Sequence, residues 1–148
     1  MSLKSKIIIC DLDNTLCNAA WRQSFAQRKE WDEFHRLAKY DEPNWAILKL
    51  LERESKHDWI TIMFITGRPE AYRSDTNQWL EKWGFKDHLL VMRADGDFES
   101  DFIYKRIAIT EHIADLDDVL YALEDRDAVV EMLRSLGIAC FQVQKGAY

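Results

Sequence analysis

Two carboxylates, Asp11 and Asp13, follow directly on the apolar run Ile7-Ile8-Ile9-Cys10. An extended chain places residues i and i+2 on one side. Both acids are therefore expected near one point, at the carboxyl end of a buried strand. Carboxylates that close repel each other, and a cation or a reaction gives the pair a use. A second acidic run, Glu124-Asp125-Arg126-Asp127, also ends an apolar segment, as does Thr66-Gly67-Arg68. Asp11, Asp13, Glu124 and Asp125 together offer only oxygen ligands, which favours Mg²⁺ shared with a substrate phosphate. Thr66 supplies a hydroxyl, and Gly67 allows a main-chain N–H to come close to an anion. Lys105 can balance the charge of the acids and the phosphate. This set meets the needs of phosphoryl transfer: an in-line nucleophile, a metal and donors to the equatorial oxygens. Asp11 is the expected nucleophile, forming an aspartyl-phosphate. Asp13 is the expected general acid and base, entering the reaction protonated. Arg68 and Arg126 are candidates for gripping the phosphate, or for structural ion pairs.

The elements that must position these groups are legible as alternating patterns. Five short β-like runs occur at Ile7–Asp11, Trp59–Thr66, Leu89–Met92, Val119–Glu124 and Ala139–Val143. Most are apolar throughout, as expected of strands covered on both faces of a parallel sheet. Helical spacing links Trp45, Leu48 and Leu51; Trp79, Leu80 and Trp83 before Gly84; Ile103, Ile107, Thr110 and Ile113; and Val129, Met132, Leu133 and Leu136 before Gly137. Strand–helix alternation with right-handed crossovers predicts a three-layer α/β sandwich, whose ligands bind beyond the carboxyl ends of the strands. The interval 17–44 is too long for a simple crossover. It reads as a small helical insertion after the first strand, inside one domain spanning 1–148. Its aromatics Trp21, Phe25 and Trp31 could stack a nucleobase, although the reading favoured here makes them the insertion's own small core.

Bulk properties narrow the class. A chain of 148 residues with 47% hydrophobic residues suits one sizeable core. A net charge of −6 argues against wrapping nucleic acid over a broad basic face, though not against holding one terminal phosphate. Charge within the insertion is balanced, so no extended nucleic-acid surface is evident. Cys10, Cys17 and Cys140 lack metal-ligand spacing and read as reduced thiols of a cytoplasmic protein. His35, His57, His88 and His112 form no ligand pattern. No signal peptide or bilayer-spanning run is expected, and the opening Met1-Ser2-Leu3 is given no role. Asp95, Asp97, Glu99 and Asp101 read as a solvated acidic loop.

Asp11-Leu-Asp13-Asn-Thr15, Thr66-Gly67-Arg68, Lys105 and Glu124-Asp125 resemble, in order and placement, the four motifs of the haloacid dehalogenase-like phosphatases. The resemblance covers essentially the whole chain. It implies a Rossmann-like parallel sheet in strand order 5-4-1-2-3, Mg²⁺ and an aspartyl-phosphate intermediate. Leu123–Met132 with Gly137–Val143, Ile65–Glu70 with Tyr72 and Arg73, Trp31–Phe34 and Asp41–Pro43 further resemble the phosphatase domain of phage polynucleotide kinase-phosphatases. That group implies removal of 3′-phosphate from nucleic-acid ends or nucleotides. No GxxxxGK[ST] loop occurs, so the kinase half is absent from this sequence. The usual Asp-Asp pair is Glu124-Asp125, with Asp125 expected as direct metal ligand and Glu124 behind it. The competing expectations are a phosphatase for small metabolites or 5′-nucleotides, and a non-catalytic phosphate-binding module. Oligomeric state is not legible.

Overall fold

The computed structural model describes residues 5–148; Met1-Ser2-Leu3 lies outside the described residues. The strands are β1 (Lys6–Cys10), β2 (Ile60–Pro69), β3 (Leu89–Arg93), β4 (Val119–Arg126) and β5 (Cys140–Gly146). They form one five-stranded sheet in the order β3-β2-β1-β4-β5, with every neighbouring pair parallel. This is the expected order read from the other edge, and the fold is Rossmann-like α/β. The helices are α1 (Gln23–Gln27), α2 (Trp31–Arg36), α3 (Trp45–Glu54), α4 (Arg73–Lys82), α5 (Asp101–His112) and α6 (Asp127–Ser135). Among the described residues, no helix is long and apolar enough to cross a membrane.

Strand alternation divides the core into two. Ile9, Met63, Ile65 and Ala122 pack with Tyr104, Ala108 and Ile109 of α5 and Val129, Val130 and Leu133 of α6. Ile8, Cys10, Ile62, Phe64 and Leu123 pack with Leu48 and Leu51 of α3 and Trp79 and Leu80 of α4. Coverage of both faces explains why these strands are apolar at successive positions.

The insertion leaves and rejoins the sheet through one neck. Asn18 N donates to Glu42 O at 2.8 Å, and Asn44 N donates to Leu16 O at 2.6 Å. Little of it forms a core. Arg22, Phe34, Ala38 and Asp41 are buried, whereas Trp21 and Trp31 are 50% and 51% exposed. The reading of these tryptophans as an insertion core is therefore corrected. Trp21 sends its indole N–H to Asp41 at 2.8 Å, and Phe25 lies beneath the Arg28 guanidinium. A segment this short cannot bury three large rings on itself.

The sheet edge beside the acids is closely packed at β5. A β-carbon on Gly146 would lie 2.6 Å from the main-chain oxygen of Asp125. Main-chain atoms cannot swing aside as a side-chain tip can, so the strands would have to separate. Gly146→Ala should lower stability by about 1–3 kcal/mol, measured by urea unfolding. An unchanged midpoint would show that β5 tolerates displacement here.

Candidate active site

Asp11 sits one residue beyond β1. Its N–H donates to Leu123 O at 3.1 Å, which fixes the strand end against β4. The chain then turns sharply: the N–H groups of Thr15, Leu16 and Cys17 all donate to Leu12 O, at 3.0–3.1 Å. Asn14 takes φ of +63° within this turn, a conformation asparagine tolerates better than most residues. The turn corrects the expectation that Asp11 and Asp13 point to one spot. Extended alternation stops at Cys10, and the two carboxylates enter different clusters.

The first cluster is acidic. Lys105 Nζ donates to Asp11 Oδ1 at 2.8 Å and to Glu124 Oε2 at 2.9 Å. It also lies 3.3 Å from Asp101 Oδ2, one helical turn earlier on α5. Thr15 Oγ1 lies 3.1 Å from both Asp11 Oδ2 and Asp125 Oδ1, bridging the two acids. Glu124 is engaged at both oxygens, because Oε1 accepts from the N–H groups of Asp125 and Arg126 at 3.0 and 3.2 Å. Asp125 Oδ2 accepts from the Tyr148 hydroxyl. Each of Asp11, Glu124 and Asp125 offers an oxygen within 4.8 Å of the others. Burial, then the nearby Glu124 charge, pushes Asp11 up to about 7. Burial and Asp11 push Asp125 up to about 6. Burial lowers the affinity of Lys105 for its proton, but Asp101, Asp11 and Glu124 outweigh that and raise its pKa. Three crowded, buried, oxygen-only donors facing a single ammonium fit a bound metal cation.

The second cluster holds Asp13. Arg22 Nη2 lies 2.5 Å from Asp13 Oδ1 and 2.6 Å from Asp41 Oδ2. Arg68 Nη2 donates to Asp13 Oδ1 at 2.7 Å. Burial opposes ionisation of Asp13, but Arg68 and Arg22 outweigh it and hold the carboxyl below the usual range. The carboxylate of Asp13 is thus not among the oxygens converging with Asp11, Glu124 and Asp125. Its carboxylate faces two guanidiniums, and Asp13, expected with Asp11, Glu124 and Asp125 as a metal ligand, instead shares a separate group with Cys17 and Asp41. The expected protonation of Asp13 concerns the substrate-bound state; without ligand, the two guanidiniums favour its anion.

A cleft of about 600 Å³ opens over the acids. Asp11, Asp13, Gly67, Glu124, Asp125 and Arg126 line it, whereas Thr66, Arg68 and Lys105 do not. Thr66 is buried, and its Oγ1 accepts from Arg68 N at 3.2 Å. Arg68 is 2% exposed and committed to Asp13. In this state neither presents a donor to a phosphate, and Arg68 acts as an anchor for Asp13. Gly67 lines the cleft, and a β-carbon there would meet Asp101 Oδ1 at 2.7 Å, so a larger residue would displace Asp101 from Lys105 and Arg93. Arg126 remains partly exposed, 3.7 Å from Asp101. Sequence reading missed four participants. Asp101 is a half-buried partner of Lys105 and of Arg93, 3.2 Å away, not a solvated loop acid; its place four residues before Lys105 on one helix was the available signal. Arg22 and Asp41 looked like balanced surface charge, and no local pattern marks a pair 19 residues apart as buried. Tyr148 had no signal at all.

A parallel sheet with paired acids, a lysine and a glycine turn at its carboxyl edge defines a haloacid dehalogenase-like phosphatase. The family of the polynucleotide kinase PNKP phosphatase domain matches residues 5–148, and the chain belongs to it. Structural comparison agrees. The Pnkp1/Rnl/Hen1 complex contains a chain that is 31% identical, with a TM-score of 0.84 over 98% of this chain and 48% of that one. A structure of the Pnkp1/Rnl/Hen1 RNA repair complex gives 31% identity and a TM-score of 0.85, over 98% of this chain and 44% of that chain. This protein thus spans somewhat under half the length of those relatives. The class C acid phosphatase from Bacillus anthracis with tungstate bound shares the fold, at 15% identity and a TM-score of 0.64, over 99% of this chain and 69% of that one.

Two stability predictions follow from the second cluster and its neighbour. Arg22→Met removes the nearest cation from the buried Asp41 carboxylate, leaving it the Trp21 N–H and Arg68 at 3.8 Å, and should cost about 3–5 kcal/mol in urea unfolding. Arg22→Met/Asp41→Leu should recover a large part of that; a double variant no more stable than the single would show that the charge pair is not the cause. His35, stacked between Trp31 and Tyr72, has a buried Nδ1 with no partner. Burial lowers its pKa from 6.5 to about 4. The unfolded chain then binds the proton first, so stability is full above pH 6.5 and falls as pH drops toward 4, by about 3 kcal/mol in all. His35→Phe should flatten this slope relative to the parent; parallel pH profiles would refute the assignment.

Proposed function

We propose that this protein is a Mg²⁺-dependent phosphomonoesterase that removes 3′-phosphate from nucleic-acid ends or nucleotides through an aspartyl-phosphate. The observation that carries the reading is the Asp11 carboxylate at the cleft floor, oriented by Lys105 at 2.8 Å and by Thr15 at 3.1 Å. Both oxygens are fixed, so the group is presented in one orientation, which is what an in-line nucleophile requires. Asp11, Asp125 and, behind them, Glu124 would hold the cation, which when bound supplies charge neutralisation to the phosphoryl oxygens. The buried carboxylates raised toward neutral pH support that reading, since they are the groups a cation would relieve. Arg126, at the cleft edge, is the available side-chain cation for a phosphate oxygen.

In the proposed reaction an Asp11 oxygen bonds to phosphorus as the bond from phosphorus to the leaving oxygen breaks. Asp13 gives that oxygen a proton, then takes one from the water that hydrolyses the aspartyl-phosphate. Arg22 and Arg68 hold Asp13 in place as an anion beforehand. Its carboxylate must move off these guanidiniums and take up a proton before it can serve as the acid. The substrate class rests on membership of the PNKP phosphatase-domain family and on likeness to a chain from an RNA repair complex.

Phosphate release from a 3′-phosphorylated oligonucleotide tests the proposal. Turnover should require Mg²⁺, stop with a chelator, and fall at least about a thousand-fold in Asp11→Asn. Hydrolysis of an aryl phosphate or a 5′-nucleotide, without release from the 3′-end, would retain the chemistry and overturn the substrate. Mg²⁺-dependent phosphate binding with no turnover on any ester would overturn catalysis itself.

A further inference from the structure

The cleft is much larger than one phosphate needs. At about 600 Å³ it falls within the range of sites that enclose a small organic ligand. With phosphorus at Asp11, the esterified group must occupy the remaining volume. Of the aromatic rings that line that volume, with Phe34, Tyr72 and Tyr148 among them, Trp31 of α2 and Phe98 of the loop before α5 expose large apolar faces from separate elements.

Neither ring is in the core, and each is carried on an ordered element. The Trp31 indole stacks on His35 at 6.3 Å with an interplanar angle of 26°. It also meets Phe34 edge-on at 5.9 Å. Its helix is tied to the start of α4 by a hydrogen bond from the Tyr72 hydroxyl to Asp32 at 3.1 Å. The ring is therefore held, yet 51% exposed. Phe98 is 94% exposed in a loop that is itself fastened. Arg93 Nη1 donates to Glu99 O at 2.7 Å, and Glu99 N donates to Asp97 Oδ1 at 3.0 Å. An apolar ring kept in water on an ordered loop, at the edge of a reactive cleft, is placed for a ligand.

Charge narrows the ligand further. Asp32, Asp97 and Glu99 line the same walls and oppose a run of phosphates. Arg93 is already committed to Asp101 and to main-chain oxygens. A flat, uncharged, π-rich group attached to a single phosphate fits these walls. We propose that Trp31 and Phe98 form a stacking subsite for the nucleobase of the terminal nucleotide. The subsite reads the end nucleoside rather than the backbone, and its assignment rests on the substrate class proposed above.

The test compares kcat/KM for an oligonucleotide with a 3′-phosphorylated terminal nucleotide and for the same oligonucleotide ending in a base-free 3′-phosphorylated sugar. Stacking of one base predicts a preference on the order of 10- to 100-fold for the base-bearing end, expressed chiefly in KM. Trp31→Ala and Phe98→Ala should each reduce that ratio, and Trp31→Phe should retain most of it. Phe98 makes so little contact that its removal leaves packing intact. Equal rates on the two ends, or a ratio that persists in both alanine variants, would overturn the subsite while leaving the 3′-phosphatase reading standing. Hydrolysis of glycerol phosphate with none at either nucleic-acid end would overturn both.

Discussion

One buried ammonium holds the catalytic edge of this molecule together. Lys105 crosses from α5 to the ends of β1 and β4, meeting Asp11 at 2.8 Å and Glu124 at 2.9 Å. Taking these charges out of water is expensive, and only mutual attraction with complete hydrogen bonding offsets the cost. The surroundings are arranged to provide it. Thr15 bridges Asp11 and Asp125, the N–H groups after Glu124 close on its free oxygen, and Asp101 adds a third acid to the lysine. Even so, Asp11, Glu124, Asp125 and Asp101 outnumber the cations beside them. That residual negative charge is what a bound cation would relieve, in keeping with the function proposed above.

The insertion is joined to this edge by charge more than by apolar burial. Arg22 is completely buried and spans Asp41 and Asp13, while its guanidinium lies over the Phe34 ring at 4.3 Å. Arg68 reaches the same carboxylate from β2. Asp13 is thus where the insertion and the sheet meet. Because ion pairs depend on direction and distance more sharply than apolar contacts do, a shift of the insertion changes what Asp13 can do. The same segment carries Trp31 to the cleft. One short stretch of chain therefore governs both the orientation of Asp13 and part of the wall beside the leaving group.

The fold was legible because its cause is periodic. Five apolar runs, helical spacings between them and stops near Gly84 and Gly137 follow from which faces are buried, and the strand order followed from the family resemblance. The site was legible only in part, for a physical reason. Residues adjacent in sequence to strand ends, such as Asp11, Glu124 and Asp125, are placed by the strands themselves. Arg22 and Asp41 meet Asp13 only through the tertiary path of the insertion, and nothing local separates a buried guanidinium from a solvated one. The i, i+2 argument failed at Asp13 because it assumes an extended chain, and the turn around Leu12 begins immediately after β1. For Trp21 and Trp31, size suggested a core, but the insertion is too small to cover them.

The separation of Asp11 from Asp13 clarifies how two like side chains can take different parts. Environments that push paired titratable groups apart mark the division between acid, base and nucleophile. Here burial among acids pushes Asp11 up to about 7, while Arg68 and Arg22 hold Asp13 down. In the reaction proposed above, Asp11 would have to be anionic and Asp13 protonated, the reverse of the order that these surroundings favour. For Asp11, positive charge arriving from outside would favour the anion. Arg22 and Arg68 are buried and do not line the cleft, so Asp13 itself would have to turn away from them. Under the proposed reaction, a cation would serve Asp11, and the release of Asp13 from its guanidiniums would be a separate, conformational step.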